Sequence, residues 1–232
     1  EDYTDLAHHK GLLLYNMQTL TLLIKTAMEA GFQVNTHAIG DNANRFVLEA
    51  YGDSLFNYRD PRWRIEHSQN ITPVDQRRFV ELDIIPSMQP SHAIGDLHFA
   101  VDRLGLDRIN NAYAWRNLID QGLIIAGGTD APVEIGDPRI EFYAAIARKD
   151  IDGYHAEGWN LDQRITRFEA LKMFTIWPAI ASFQENVKGT IEVGKLADFS
   201  IFDKDLMNIP ELEILESTNV LTVVGGRIVY QK

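Results

Sequence analysis

Strand-like and helix-like segments alternate along most of this chain, and that alternation restricts its folding more than any other feature. An apolar stripe of helical period (Leu20, Leu23, Ile24, Ala27) runs through residues 16–30, with Asn16 suited to the N-cap and Gly31 to a left-handed C-terminal position. A strand is predicted over 32–37, then a helix that starts at Asp41, turns Phe46, Val47 and Ala50 inward and ends at Gly52. The unit repeats. Residues 62–67 read as a strand. Thr72-Pro73 opens a helix with Phe79, Val80 and Leu82 on its buried side, and residues 84–88 form a third strand. A helix over 109–121, with Ala112, Trp115, Leu118 and Ile119 on one face and Gly122 closing it, precedes a fourth strand at 123–126. That strand is apolar almost throughout, as suits one covered on both faces. Helices follow near 138–148 and 166–175, the second opened by the capping box Thr166-Arg167-Phe168-Glu169. Strands alternating with helices imply an α/β protein with a parallel sheet and right-handed crossovers. Four strands are half of what closes a barrel of eight, so spacing alone leaves a small open sheet and a half-barrel as the two alternatives.

The texture changes near Val187. Thr190-Ile191-Glu192-Val193-Gly194-Lys195 leads to a strand at 198–202, and strands at 221–224 and 227–230 meet at Gly225-Gly226, a two-residue hairpin turn. The division expected is 1–186 for the alternating part and 187–232 for the β-rich tail. Roughly 45 residues of β-structure rarely fold unaided, so the tail is expected to complete a sheet supplied by other residues.

Composition excludes several function classes. No apolar run approaches the ~18 residues of a membrane span. The balance of 22 basic and 33 acidic residues, −11 overall, opposes binding to a nucleic-acid backbone. With no cysteine, any metal has to be held by His, Asp or Glu. Absence of cysteine and of a visible targeting segment leaves localisation open, with the cytoplasm favoured.

Three metal-ligating side chains occupy equivalent places. His37 ends the first strand, His67 ends the second, and Asp130 follows the fourth within Gly127-Gly128-Thr129-Asp130. Side chains at the carboxyl ends of parallel strands converge on one mouth of the sheet, and two imidazoles with a carboxylate are a partial ligand set for Zn²⁺ or a similar ion. The alternative for each alone is a hydrogen-bonded histidine or a turn-capping Asp130. His8 and His9 read as solvated loop residues, His98 and His155 as surface residues, and Trp115 and Trp177 as packing. The pentapeptide His-Ala-Ile-Gly-Asp occurs at both 37–41 and 92–96, which is read as chance or shared helix-start chemistry rather than duplication.

The strings Thr36-His37-Ala38-Ile39-Gly40-Asp41, Arg64-Ile65-Glu66-His67, Ser87-Met88-Gln89-Pro90-Ser91-His92 and Gly128-Thr129-Asp130-Ala131-Pro132 occur in that order, followed by Gly189-Thr190-Ile191-Glu192-Val193-Gly194-Lys195-Leu196-Ala197-Asp198. Together they resemble the second half of the amidohydrolase superfamily barrel, and within it the amidohydrolase-3 group that includes N-substituted formamide deformylase. The resemblance implies the carboxy-terminal half of a metal-dependent hydrolase TIM (β/α)8 barrel, strands five to eight, plus the carboxy-terminal strands of a small β-sandwich. It implies His37 and His67 as the ligands after strands five and six, Asp130 as the acid after strand eight, and Gln89 and His92 as substrate contacts. That family also uses a His-x-His pair after strand one and a bridging residue after strand four. Neither has a counterpart here, so the chain is expected to be a carboxy-terminal fragment, inactive by itself, of an enzyme holding one or two divalent ions, Zn²⁺ by preference.

The activity so implied is hydrolysis of amide, formamide or cyclic amide C–N bonds in a small molecule, with Asp130 serving first as base and then as acid. Two rivals stand beside it: a metal-dependent lyase or isomerase on the same scaffold, and a non-catalytic half-barrel that pairs with another chain. An open half-barrel exposes two sheet edges and an apolar face, so self-association or pairing with an amino-terminal half is expected.

Overall fold

A computed structural model describes residues 1–55, 60–154 and 156–232, so His155 lies outside the described residues. The chain forms two compact units, Glu1–Met88 with Gly95–Ile125, and Gln89–Ile94 with Ala126–Lys232.

The first unit is built from β/α repeats. Helix α1 (Met17–Glu29) starts where the Asn16 side chain accepts the Thr19 N–H at 2.9 Å, and it buries Leu20 and Ile24. Leu23, expected on the same stripe, is half exposed, so the buried face is narrower than the periodicity suggests. Strand β1 (Asn35–Ala38) feeds α2 (Asp41–Leu55), which runs through Gly52 instead of ending there. Strand β2 (Arg64–His67) feeds α3 (Pro73–Glu81), opened by Thr72 and Pro73 as expected, and β3 (Ile85–Met88) follows. The buried side of α3 differs from the expectation. Phe79 is buried, but Val80 is exposed, while Asp75 and Gln76 are buried. Asp75 is tolerated because Arg45 at 3.0 Å, Arg78 at 3.4 Å and the Thr72 hydroxyl at 2.7 Å all pair with it.

Strands β1, β2 and β3 pair in parallel, with Thr36 opposite Ile65 and Ile65 opposite Pro86. Each has four residues, fewer than expected, and Phe32 stays exposed ahead of β1. The core gathers Ile24, Leu48, Tyr51, Trp63, Ile65, Phe79 and Ile84, with the Tyr51 and Trp63 rings edge to face at 4.9 Å.

Two helices went unread in the sequence: α4 (Pro90–Asp96) and α5 (Ala100–Arg108). The single helix expected over 109–121 is instead a 3₁₀ turn (Ile109–Asn111) and a short helix, α6 (Trp115–Asp120). Tyr113 breaks it with a φ of 51°, its N–H donating to the Gln69 carbonyl at 2.7 Å and its hydroxyl to the Asp96 carboxylate. A tertiary bond thus overrides local helical preference. Trp115 is fully buried, as expected.

In the second unit a two-residue strand, β4 (Ala126–Gly127), precedes α7 (Pro138–Ala147), whose N-cap Asp137 accepts the Arg139 N–H at 2.9 Å. Gly127 is required there: a Cβ would stand 2.8 Å from the Met173 carbonyl oxygen and 2.7 Å from the Phe174 ring. Helix α8 (Arg167–Met173) carries the expected capping box, and α9 (Ile176–Ala181) follows it. Strands β5 (Phe199–Phe202), β6 (Asn219–Val224) and β7 (Arg227–Gln231) form an antiparallel sheet. Gly225 and Gly226, at φ 57° and 75°, make the β6–β7 turn, a conformation natural to glycine. A helix not read in the sequence, α10 (Glu211–Glu216), packs against α7 through the fully buried Ile214. Strand β7 is exposed along its whole length, Ile228 and Val229 included. No helix among the described residues is long and apolar enough to cross a membrane.

Candidate metal and catalytic residues

In the first unit, His37 and His67 stand at the carboxyl ends of adjacent parallel strands. The register pairs His37 with Glu66 and Ala38 with His67, so the two histidines are offset by one residue. Their rings meet edge to face, centroids 4.5 Å apart and planes at 74°. The backbone turns sharply there: His67 and Ser68 lie at φ 75° and 49°, a left-handed conformation that costs a non-glycine residue about 1 kcal/mol or more. Hydrogen bonds hold it in place. The Ser68 N–H donates to the Ala38 carbonyl at 3.0 Å, the Asn70 N–H to Ile39 at 3.0 Å, and the Ser68 hydroxyl to Ile65 at 2.9 Å. From α2, the buried Tyr51 hydroxyl meets Thr36 Oγ1 at 2.7 Å and donates to the Arg64 carbonyl at 2.9 Å, tying β1 to β2 just ahead of the histidines. Burial raises the Tyr51 pKa well beyond the ordinary phenol value, so this hydroxyl stays a donor.

In the second unit, α4 carries His92 with its side chain nearly buried. Its Nε2 lies 3.7 Å from Asp130 Oδ2 and 3.5 Å from Glu134 Oε1. Asp130 itself sits at φ 55°, and its carbonyl accepts the Val133 N–H at 2.8 Å. Gln89 is buried and its carbonyl accepts the His92 N–H at 3.2 Å. Glu141 of α7, 1 % exposed, accepts the Ser91 N–H at 2.9 Å and so holds the beginning of α4.

The structure thus brings His37 to His67, and His92 to Asp130. It also adds Glu134 and Glu141, which the sequence reading missed. Glu134 carried no signal, being one acid in a loop. Glu141 did carry one, a lone carboxylate in the apolar run Ile140-Glu141-Phe142-Tyr143-Ala144. The two copies of His-Ala-Ile-Gly-Asp fold differently: the first leaves a strand and enters a helix at Asp41, whereas the second lies within α4. Asp96 is no helix start; it ends α4 and accepts the Tyr113 hydroxyl.

Burial pushes the Glu141 carboxyl up to about 7. The Ser91 hydrogen bond opposes that shift, and the Glu134 charge adds to it. Between the unfolded carboxylate range and pH 7 the folded chain therefore holds more protons than the unfolded one, and stability falls as pH rises across that window. Glu141→Gln keeps an acceptor for Ser91 and removes the buried charge. We expect it to raise the urea midpoint at pH 8, by on the order of 1–3 kcal/mol in stability, and to have little such effect near pH 5. An equal effect at both pH values contradicts this assignment.

Two imidazoles in edge contact at neighbouring strand ends, with no thiolate nearby, suit a divalent ion of borderline hardness. Against known proteins, residues 1–230 match the amidohydrolase family, the branch designated Amidohydro_3. The chain belongs to this family. YtcJ of Bacillus subtilis (strain 168), provisionally named an amidohydrolase, is 33 % identical over 234 residues, covering 100 % of this chain and 44 % of YtcJ. The N-substituted formamide deformylase of Arthrobacter pascens is 27 % identical over 226 residues, covering 97 % of this chain and 41 % of the deformylase. Among solved structures, an uncharacterized metal-dependent hydrolase of Pyrococcus horikoshii OT3 superposes with a TM-score of 0.80 at 27 % identity, over 91 % of this chain and 42 % of that one. The chain spans less than half the length of each of these relatives.

Proposed function

We propose that this amidohydrolase-family chain is part of a metal-dependent hydrolase that cleaves C–N bonds of amide, formamide or cyclic amide type in a small molecule. The observation that carries the reading is the edge contact of the His37 and His67 rings at adjacent strand ends. In this reading β1, β2, β3 and β4 are strands five to eight of a (β/α)8 barrel, 187–232 contributes strands to a β-sandwich, and the remaining barrel strands pair with them. The exposed edge strand β7 supports the addition of further strands to the sheet of the tail.

His37 and His67 are assigned as ligands of one divalent ion, zinc by preference. When bound, such an ion acidifies water and polarises the scissile carbonyl. Asp130 is assigned as the acid–base: a carboxylate oxygen takes the proton of the attacking water and hands it to the departing nitrogen, which leaves as a neutral amine. Its side chain is 38 % exposed, so the carboxylate keeps access to water and substrate. Gln89 and His92 are assigned to substrate contact. His92 beside Asp130 also suits a group that positions the Asp130 side chain for the two proton transfers.

The test is turnover of N-substituted formamides and cyclic amides by the full-length protein in ¹⁸O-labelled water. Incorporation of label into the acid product, lost on chelation and restored by Zn²⁺, is expected. Conversion of the substrate without label points instead to lyase or isomerase chemistry.

A further inference from the structure

Asn44 lies in the first turns of α2 with 0 % exposure. Its Nδ2 faces four backbone carbonyls: Gly40 at 3.0 Å, Asn70 at 3.1 Å, Ile39 at 3.2 Å and Ala38 at 3.4 Å. Of these, Ala38 is the last residue of β1, one beyond His37, and Ile39 and Gly40 form the turn after it. The fourth belongs to the turn after β2, three residues beyond His67. The same two turns are joined by the Ser68 and Asn70 N–H groups. An amide NH₂ is a donor with two hydrogens and no acceptor capacity, so it suits a cluster of carbonyl oxygens that a carboxylate or a methyl group cannot serve.

We propose that Asn44 is a positioning residue for the metal ligands: by binding the turn after β1 to the turn after β2, it sets the spacing of His37 and His67. The inference rests on the assignment of those histidines as ligands and adds a residue to it. Removing the Asn44 amide leaves the strands paired and only the Ser68 and Asn70 N–H groups between the strand ends, which loosens them, so the imidazoles no longer come preset to one ion. Groups that orient metal ligands without touching the metal typically change affinity by about 10–100-fold when removed.

Zn²⁺ affinity of the full-length protein, measured by competition with a chromophoric chelator, tests this. Asn44→Ala is expected to weaken Zn²⁺ binding about 10–100-fold. Leu48→Ala, a cavity variant at a fully buried site on the same helix, is expected to lower Tm at least as much and leave affinity unchanged. If Asn44→Ala does not fold, Asn44→Ser serves, because its hydroxyl bonds the Gly40 carbonyl within the helix but is too short to bridge to Asn70. Wild-type hydrogen exchange supplies an arm free of variants: slow exchange of the Ser68 and Asn70 amides in metal-free protein supports a preformed clamp, and loop-like exchange overturns it. Wild-type affinity in the Asn44 variants, or equal weakening by Leu48→Ala, also overturns it. His37→Ala separates the two layers. If that variant too binds Zn²⁺ like wild type, the ligand assignment fails; if it loses Zn²⁺ while the Asn44 variants keep it, only the clamp fails.

Discussion

Asp130→Asn in the full-length protein is expected to lose about 10²–10⁴-fold in kcat, the usual contribution of a positioned acid–base group. Asparagine is the sharpest probe at this position. It matches aspartate in size, and like aspartate it tolerates the left-handed backbone found there, φ 55°. The Val133 N–H still finds the residue-130 carbonyl. What disappears is the ability to take up a proton at neutral pH. KM and most of the metal content should therefore persist while turnover collapses. Near-normal kcat would remove Asp130 from the mechanism. Asp130→Ala is a poorer choice, because alanine adds strain at positive φ and confuses lost chemistry with lost structure.

The second large effect is expected at His67, also at positive φ. His67→Asn respects that backbone and removes the imidazole. A four-ligand zinc site is worth about 10–16 kcal/mol, so one ligand contributes roughly 3 kcal/mol and its loss weakens binding about 100-fold. Stability reports the change independently of catalysis. At free Zn²⁺ of ~100 times the wild-type Kd, the ion stabilises the wild type by about 2.7 kcal/mol, and the variant by roughly 0.4 kcal/mol. Denaturation with and without Zn²⁺ should thus show a clear metal-dependent shift for wild type and almost none for His67→Asn. Equal shifts would mean that the ion sits elsewhere.

Local chemistry made much of the fold legible. Asn16, Thr72-Pro73, the Thr166–Glu169 box and Gly225-Gly226 each act over a few residues, and each marks an element end in the structure. What escaped was decided at longer range. Tyr113 breaks a predicted helix because its partners are the Gln69 carbonyl and Asp96. Gly105, at φ 72° inside α5, hid that helix from a search for unbroken periodicity. Val80 faces solvent while Asp75 is buried, because two arginines and a hydroxyl compensate the carboxylate. The candidate site divides in the same way. His37, His67 and Asp130 stand out as candidates in the sequence because each lies at or just beyond the end of a strand. Asn44 does not, since its partners are carbonyl oxygens, and every residue has one. Glu134 and Glu141 acquire meaning only beside His92 and Ser91.

The most direct measurement is an anomalous difference map, recorded at the zinc edge, from crystals of the full-length protein grown with Zn²⁺. A peak within about 2.1 Å of a ring nitrogen of both His37 and His67 is expected. A map with no peak at those two rings, or with its zinc bound to other residues while the rings stand bare, would contradict the ligand assignment.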